Sequence, residues 1–230
     1  MSYPYDFKNS LSVIDSIKDS GLTDFVYTYG RDNFKNNGNL PFQAKVACIT
    51  VKIKNGRSES DDSTYLKILG CLYSEISVII QSTNTHLLTQ YGEDTIIGLY
   101  NTRFKVNIEE LIRIAAKITS ITKVINVKFN SNDFQCCVGI DYNIAYIVDG
   151  AYSEERSTLV ASGPALINSK KIISLDDSTI FITKQIHQNL SESYTKFFRE
   201  QKNCNEEFSV YAANLINTQM ETWIKSNQSK

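Results

Sequence analysis

The run Gln90-Tyr91-Gly92-Glu93-Asp94-Thr95-Ile96-Ile97-Gly98-Leu99-Tyr100 puts two adjacent carboxylates on a tight turn between two apolar, strand-like segments. A hairpin over residues 85–100 carries such a turn, with a glycine where the backbone bends most and the acids pushed outward. Carboxylate oxygens at a hairpin tip are the donors that hard divalent cations and metal-bound phosphates take. The order of the later segments adds weight to this corner. A helical stretch follows, then Val138-Gly139-Ile140, then Ser162-Gly163-Pro164-Ala165-Leu166 opening a helix, then Thr179-Ile180-Phe181-Ile182-Thr183.

Other residues able to do chemistry are more scattered. His86 and His187 stand apart from any Cys, His or Asp set. Asp61-Asp62 reads as a solvated loop or helix cap rather than a metal pair, and Asp141 and Asp149 read as polar strand ends. Lys170-Lys171 reads as a solvated helix face. Cysteines at 48, 71, 136, 137 and 204 make an odd count without metal-ligand spacing, as expected of reduced thiols in a cytoplasmic protein. The 13 tyrosines are dispersed and form no stacking platform for single-stranded nucleic acid.

These residues must be held by an alternation of strands and helices. Apolar residues 7, 11, 14 and 17 predict a short lead-in helix, followed by a polar loop to about residue 39. Residues 45–53 predict a first strand, residues 55–63 a polar loop, and residues 65–81 a helix with Leu66, Leu69, Leu72, Tyr73, Ile76 and Ile80 on one side. After the hairpin, Asn107 is expected to cap a helix over 108–121 whose first turn holds Glu109 and Glu110. Strands are expected at 126–130, 134–141 and 145–148, then a charged loop at 153–157. Phe208, Ala212, Leu215, Ile216, Gln219 and Trp223 predict one amphipathic helix over 206–225, docked on its own domain or on a partner. The pattern is of the α+β class, a mostly antiparallel sheet covered by helices. It divides into a lead-in at 1–40, a main domain at 41–200 and a C-terminal helix at 201–230.

The length of 230 residues suits one main domain with a sizeable core. Lys+Arg 24 against Asp+Glu 25 leaves a net charge of −1, which argues against a bulk grip on nucleic acid or anionic membrane but allows a small charged ligand. No apolar run is long enough to span a bilayer, and the N-terminus lacks the pattern of a secretory signal.

Taken in order, these motifs resemble the class III nucleotidyl cyclase catalytic domain over residues 43–190, and within it the pyrimidine cyclases of bacterial Pycsar anti-phage signalling. The resemblance implies a ferredoxin-like palm of βαββαβ type. In that family one metal-binding Asp sits on the first strand and a second in a K-x-x-G-D-x-x-x-x-x-F hairpin. Asp94 matches the second, which sets Gln90 at the base-reading Lys, Glu93 at the Gly and Tyr100 at the aromatic. The first-strand acid is expected near Thr50, where this chain has a hydroxyl. The ribose-binding Asn and phosphate-binding Arg, supplied by a partner chain in a head-to-tail dimer, fall on Ile167 and Lys171; a one-residue shift brings Asn168 to the ribose instead. The turn is also similar to the GG[DE]EF hairpin of diguanylate cyclases.

The resemblance therefore implies a cyclase-like domain with a degenerate site. Asp94 and Glu93 are its metal ligands, Gln90, Thr50 and Asn168 its nucleotide contacts, and Lys171 its catalytic cation. Magnesium or manganese is the implied cofactor, with a two-metal site in question. The implied partners are a nucleoside triphosphate and a second copy or related cyclase chain. The alternatives are an active, divergent cyclase acting on UTP or CTP, and a structural dimerisation module.

Overall fold

The computed structural model describes residues 23–24, 42–55, 62–102, 104–131, 134–149, 159–174, 180–201 and 209–227. The lead-in helix at 7–17, the loop at 153–157 and Asp61 lie outside the described residues. Nine strands form one sheet among the described residues. After β1 (Thr23–Asp24) comes β2 (Phe42–Asn55), then α1 (Asp62–Gln81), and then the hairpin of β3 (His86–Tyr91) and β4 (Thr95–Tyr100). The chain continues through α2 (Lys105–Lys128), β5 (Phe134–Asp149), β6 (Leu159–Ser162) and α3 (Pro164–Lys171). Last come β7 (Ile180–Thr183), α4 (Lys184–Gln188), α5 (Glu192–Thr195), β8 (Arg199–Gln201), β9 (Val210–Ala213) and α6 (Thr218–Asn227).

The strand order is β3-β4-β2-β5-β7-β9-β8, with β1 beside β2 and β6 beside β5. The ladders are antiparallel except for β1 with β2 and β5 with β7. This is the expected helix-covered, mainly antiparallel α+β palm. Among the described residues no helix is long and apolar enough to cross a membrane.

Alternation along β2 explains the two layers. Ala47, Ile49, Val51 and Ile53 face one way, into a core with Ile68, Leu72, Ile76 and Ile80 of α1 and Leu111, Ala115 and Ile118 of α2. Ala44, Val46 and Cys48 face the other way, against Ala165 and Leu166 of α3. Successive strand residues point to opposite faces, so a single run of apolar residues serves both cores.

Four expected features differ. Most of the strand predicted at 126–130 is the end of α2, because the buried stripe of Leu111, Ala115, Ile118, Thr122 and Ile125 runs on past the expected stop, the helix ending at Lys128. The Asn126 amide then donates to the Phe134 carbonyl at 2.7 Å, tying the helix end to β5. At the start of α2 the cap is Phe104, whose N–H donates to Asn107 Oδ1 at 3.0 Å; Asn107 sits inside the first turn. Strands predicted at 134–141 and 145–148 are one strand, since β2 pairs with β5 without a break from Phe42 opposite Ile147 to Asn55 opposite Phe134.

The predicted C-terminal helix over 206–225 is also shorter than expected. Phe208 lies outside the described residues, and Val210–Ala213 is a strand paired with β7 and β8, so the sheet continues beyond residue 200. Among the described residues there, α6 alone is helical, with Asn217 Oδ1 accepting the Met220 N–H at 3.1 Å at its start. It docks on its own chain. Ile224 is buried, the Asn217 N–H donates to Ser120 Oγ at 2.8 Å, and Lys128 Nζ lies 5.1 Å from the centre of the Trp223 ring.

Two glycines set the position of α3. Gly163 has φ 112°, a backbone conformation that L side chains avoid, and it turns the chain from β6 into the helix that Pro164 opens. At Gly139 on β5 an added Cβ would lie 2.1 Å from the backbone carbonyl oxygen of Ser169 and 2.7 Å from Ile173. Backbone cannot swing aside as a side-chain tip can, so Gly139→Ala is expected to lose about 1–3 kcal/mol, read as a lower urea midpoint. An unchanged midpoint would mean that α3 is not seated on β5.

Candidate functional site

The acidic turn is built by its hairpin. The Gly92 N–H donates to the Thr95 carbonyl at 2.8 Å, closing the bend, and the Ile53 N–H donates to the Asp94 carbonyl at 2.8 Å, fixing the tip against the end of β2. From α1, the Tyr73 hydroxyl lies 2.8 Å from the Glu93 carbonyl oxygen and 3.3 Å from that of Gly92, while Tyr91 donates to Ser77 Oγ at 3.1 Å. The Tyr73 phenol is pushed above its ordinary range by burial first and then by the Asp94 charge, so it stays a donor at neutral pH. The carboxylates of Glu93 and Asp94 face solvent.

The register decides which side chains join them. Thr95 pairs with Lys52, and Thr50 pairs with Ile97. Thr50 is thus three residues along from the tip, roughly 10 Å at about 3.3 Å per residue. The group that meets Asp94 is Lys52, on the same face of β2 as Thr50, with Nζ 3.7 Å from Asp94 Oδ2. Their side chains are 41% and 52% exposed, so the pair contributes on the order of 0–1 kcal/mol to stability. Its effect is chemical: the carboxylate's nearest countercharge belongs to the chain itself.

Thr50 has a different role. It is fully buried under α3, with its hydroxyl 2.8 Å from Ser169 Oγ, which in turn lies 3.0 Å from the Leu166 carbonyl oxygen and 3.2 Å from Cys48 Sγ. Burial pushes the Cys48 thiol up to about 12, so it stays protonated at neutral pH. Gln90 is half-buried on β3 opposite Ile97, in the row that runs Gly139–Thr50–Ile97–Gln90 across the sheet.

Asn168 points inward, donating to Asp141 Oδ2 at 3.0 Å, while Thr183 donates to Oδ1 at 2.7 Å. These bonds join α3, β5 and β7 around a buried carboxylate. Lys171 lies exposed in the last turn of α3, and Ile167 on the same helix is 52% exposed. The His187 ring stacks on Tyr211 at 3.9 Å, and His86 Nε2 lies 2.8 Å from Thr89 Oγ1.

The structure thus brings Glu93, Asp94 and Lys52 together, and it separates Thr50 and Asn168 from them by bonding each elsewhere. Lys52, Tyr73 and the Asp141 network escaped the sequence reading. The signal for Lys52 was available: a hairpin tip packs against the end of the neighbouring strand, two residues beyond the point chosen. Among the described residues no group of three or more His, Cys, Asp or Glu side chains is placed to share an ion. A pair of divalent cations between two carboxylates does not fit a corner where the facing strand presents an ammonium. An ion there would have to displace the Lys52 ammonium from Asp94 and would then face its like charge, with solvent screening both effects.

No protein-family model matches the chain, and no curated protein matches it in sequence. Solved structures do match in fold. The adenylyl cyclase CyaB from Pseudomonas aeruginosa superposes with a TM-score of 0.62 at 10% identity, covering 77% of this chain and 97% of that one. A bacterial light-regulated adenylyl cyclase gives 0.63 at 13% identity, covering 96% of this chain and 67% of its own. A class III adenylyl cyclase-like ATP-binding protein from Pseudomonas aeruginosa gives 0.65 at 12% identity, covering 94% of this chain and 48% of that one. The fold is therefore that of the class III cyclase palm.

Two outcomes follow from this geometry. Tyr73→Phe is expected to cost about 0.5–1.5 kcal/mol and to speed amide exchange at the turn; unchanged exchange would remove Tyr73 as its clamp. Burial, opposed by the Thr183 and Asn168 hydrogen bonds, holds the Asp141 carboxyl above its ordinary 3.8. With the folded value above the unfolded one, the folded state binds the proton first as pH falls. Relative to Asp141→Asn, the wild type gains stability as pH drops through the raised value, levelling off below 3.8. Urea unfolding of both proteins across that window checks this, and a constant difference would contradict it.

Proposed function

We propose that this chain is a class III cyclase-homology domain that binds a nucleoside triphosphate, or regulates a signalling partner, without turning the nucleotide over. The observation that carries this reading is the Lys52–Asp94 pair at the hairpin tip. Cyclisation needs charge stabilised on the attacking and leaving oxygens of the α-phosphate. Losing one charge-stabilising group costs roughly 2.7–4 kcal/mol, about 10²–10³ in rate. Here a carboxylate partner for Asp94 is missing from β2 among the described residues, and Ile167 and Lys171 stand where the resemblance implies Asn and Arg. The ATP-binding, cyclase-like protein that shares the fold over 94% of this chain supports nucleotide binding as the retained function.

Pairing with a second copy or a related cyclase chain belongs to this reading, as does a place in bacterial anti-phage cyclic-nucleotide signalling. Both rest on the sequence resemblance. In the active-cyclase alternative, Asp94 and Glu93 hold one ion and Gln90 contacts the base.

Incubating the full chain with ATP, GTP, CTP or UTP in Mg²⁺ or Mn²⁺ separates these readings. At least one nucleotide is expected to raise Tm, corresponding to about 2.7 kcal/mol at a hundredfold excess over Kd, with no cyclic product by mass spectrometry. Cyclic product would establish the active alternative, and no shift with any nucleotide would leave a structural module.

A further inference from the structure

A cation-binding corner needs its carboxylates free of a competing positive charge. In this chain Lys52 stands on the strand facing the turn, its ammonium 3.7 Å from Asp94, and the register places it there by backbone pairing. The tip cannot slide away, because the Ile53 N–H holds the Asp94 carbonyl at 2.8 Å and Tyr73 holds the Glu93 carbonyl at 2.8 Å. Among the described residues, the neighbours that could add oxygen donors to those of Glu93 and Asp94 are engaged or apolar: Thr50 is buried on Ser169, and Ile96 and Ile53 are core residues. We infer that Lys52 takes the place of a divalent cation at the Asp94 turn, so that the site is independent of divalent metal and takes its phosphate ligand as the metal-free polyanion.

The ammonium offers three donors and one positive charge on a flexible stem, which suits a mobile phosphate chain and needs no dehydration of an ion. Glu93 and Asp94 flank that ammonium and repel phosphate, so the polyanion is confined to the side of Lys52 turned away from them. The metal half of the inference concerns this chain's own residues, and the ligand half rests on the nucleotide-binding reading above.

The test has two arms. In the first, Mn²⁺ is titrated against the full chain and followed by the loss of its free electron paramagnetic resonance signal. Wild type is expected to take up no Mn²⁺ through Asp94, and Lys52→Gln, which lifts the repulsion without adding a carboxylate, to bind it only weakly. Lys52→Asp, which sets a second carboxylate opposite Asp94, is expected to bind it at least tenfold more tightly, and Asp94→Asn added to that variant is expected to abolish the gain. Wild-type binding that Asp94→Asn removes, or no gain in a folded Lys52→Asp protein, would overturn the inference.

In the second arm, the nucleotide-induced rise in Tm is measured in EDTA and in Mg²⁺. Equal shifts are expected, diminished in Lys52→Gln. A shift that requires Mg²⁺ overturns the inference while leaving nucleotide binding intact. No shift in either buffer removes the nucleotide-binding reading, and the Mn²⁺ arm still decides the role of Lys52.

Discussion

The register of β2 is the constraint from which most of this molecule follows. Its 14 residues pair with β5 along their whole length and with β4 from Ala47 to Lys52, so each side chain is committed to one face of the sheet. A slip of one residue would send Ile49 and Val51 toward α3 and bring Cys48 and Thr50 into the core under α1 and α2. It would also turn Lys52, together with Thr50, to the opposite face, away from the Asp94 carboxylate. The packing that penalises such a slip therefore fixes the electrostatics of the acidic turn, although Lys52 and Asp94 themselves add little to stability.

The second face is held by a different kind of contact. Helix α3 comes close enough to β5 that only a glycine at 139 leaves room for the Ser169 carbonyl. Two polar bonds accompany that approach, Thr50 with Ser169 and Asn168 with Asp141, and Thr183 completes the shell around the carboxylate. Buried polar groups left unpaired are expensive, so each partner is worth more as part of the set than alone. Residues that a nucleotide could have used are thus taken up in holding a helix to the sheet.

Much of the architecture was legible because it obeys simple periods. The hairpin, the first strand, the helix after it, the Gly163-Pro164 helix start and the strand at 180–183 all follow from two-residue or three-to-four-residue spacing and from turn chemistry. The misread segments share a cause. Residues 124–127 are rich in β-branched side chains, yet their burial continues the stripe of a long helix. Asp141 and Asn143 interrupt an apolar run, yet pairing with Cys48 and Val46 carries the strand through them. Residues 210–213 fit a helical stripe, yet β7 needs an antiparallel neighbour. Tertiary partners decided each case, and spacing along one chain does not reveal partners. The candidate site was half legible for the same reason: the turn and its acids are local, whereas the side chain facing Asp94 depends on how two strands align.

That difference bears on why a fold can persist at 10–13% identity. The palm depends on dozens of positions that need only be apolar and of suitable size, and such positions tolerate exchange as long as the pattern survives. A two-ion centre depends on a few oxygen donors within ångströms of one another, and an ammonium paired with one of them competes with the ion for it. Lys52 supplies such an ammonium. It lies on a strand end with two-fifths of its side chain exposed, so nothing in the packing of the core resists either an acid or an ammonium there. On the reading proposed above, the choice between metal and the chain's own cation is set at a position to which the fold is indifferent, and function has to be read from that position rather than from the sheet that carries it.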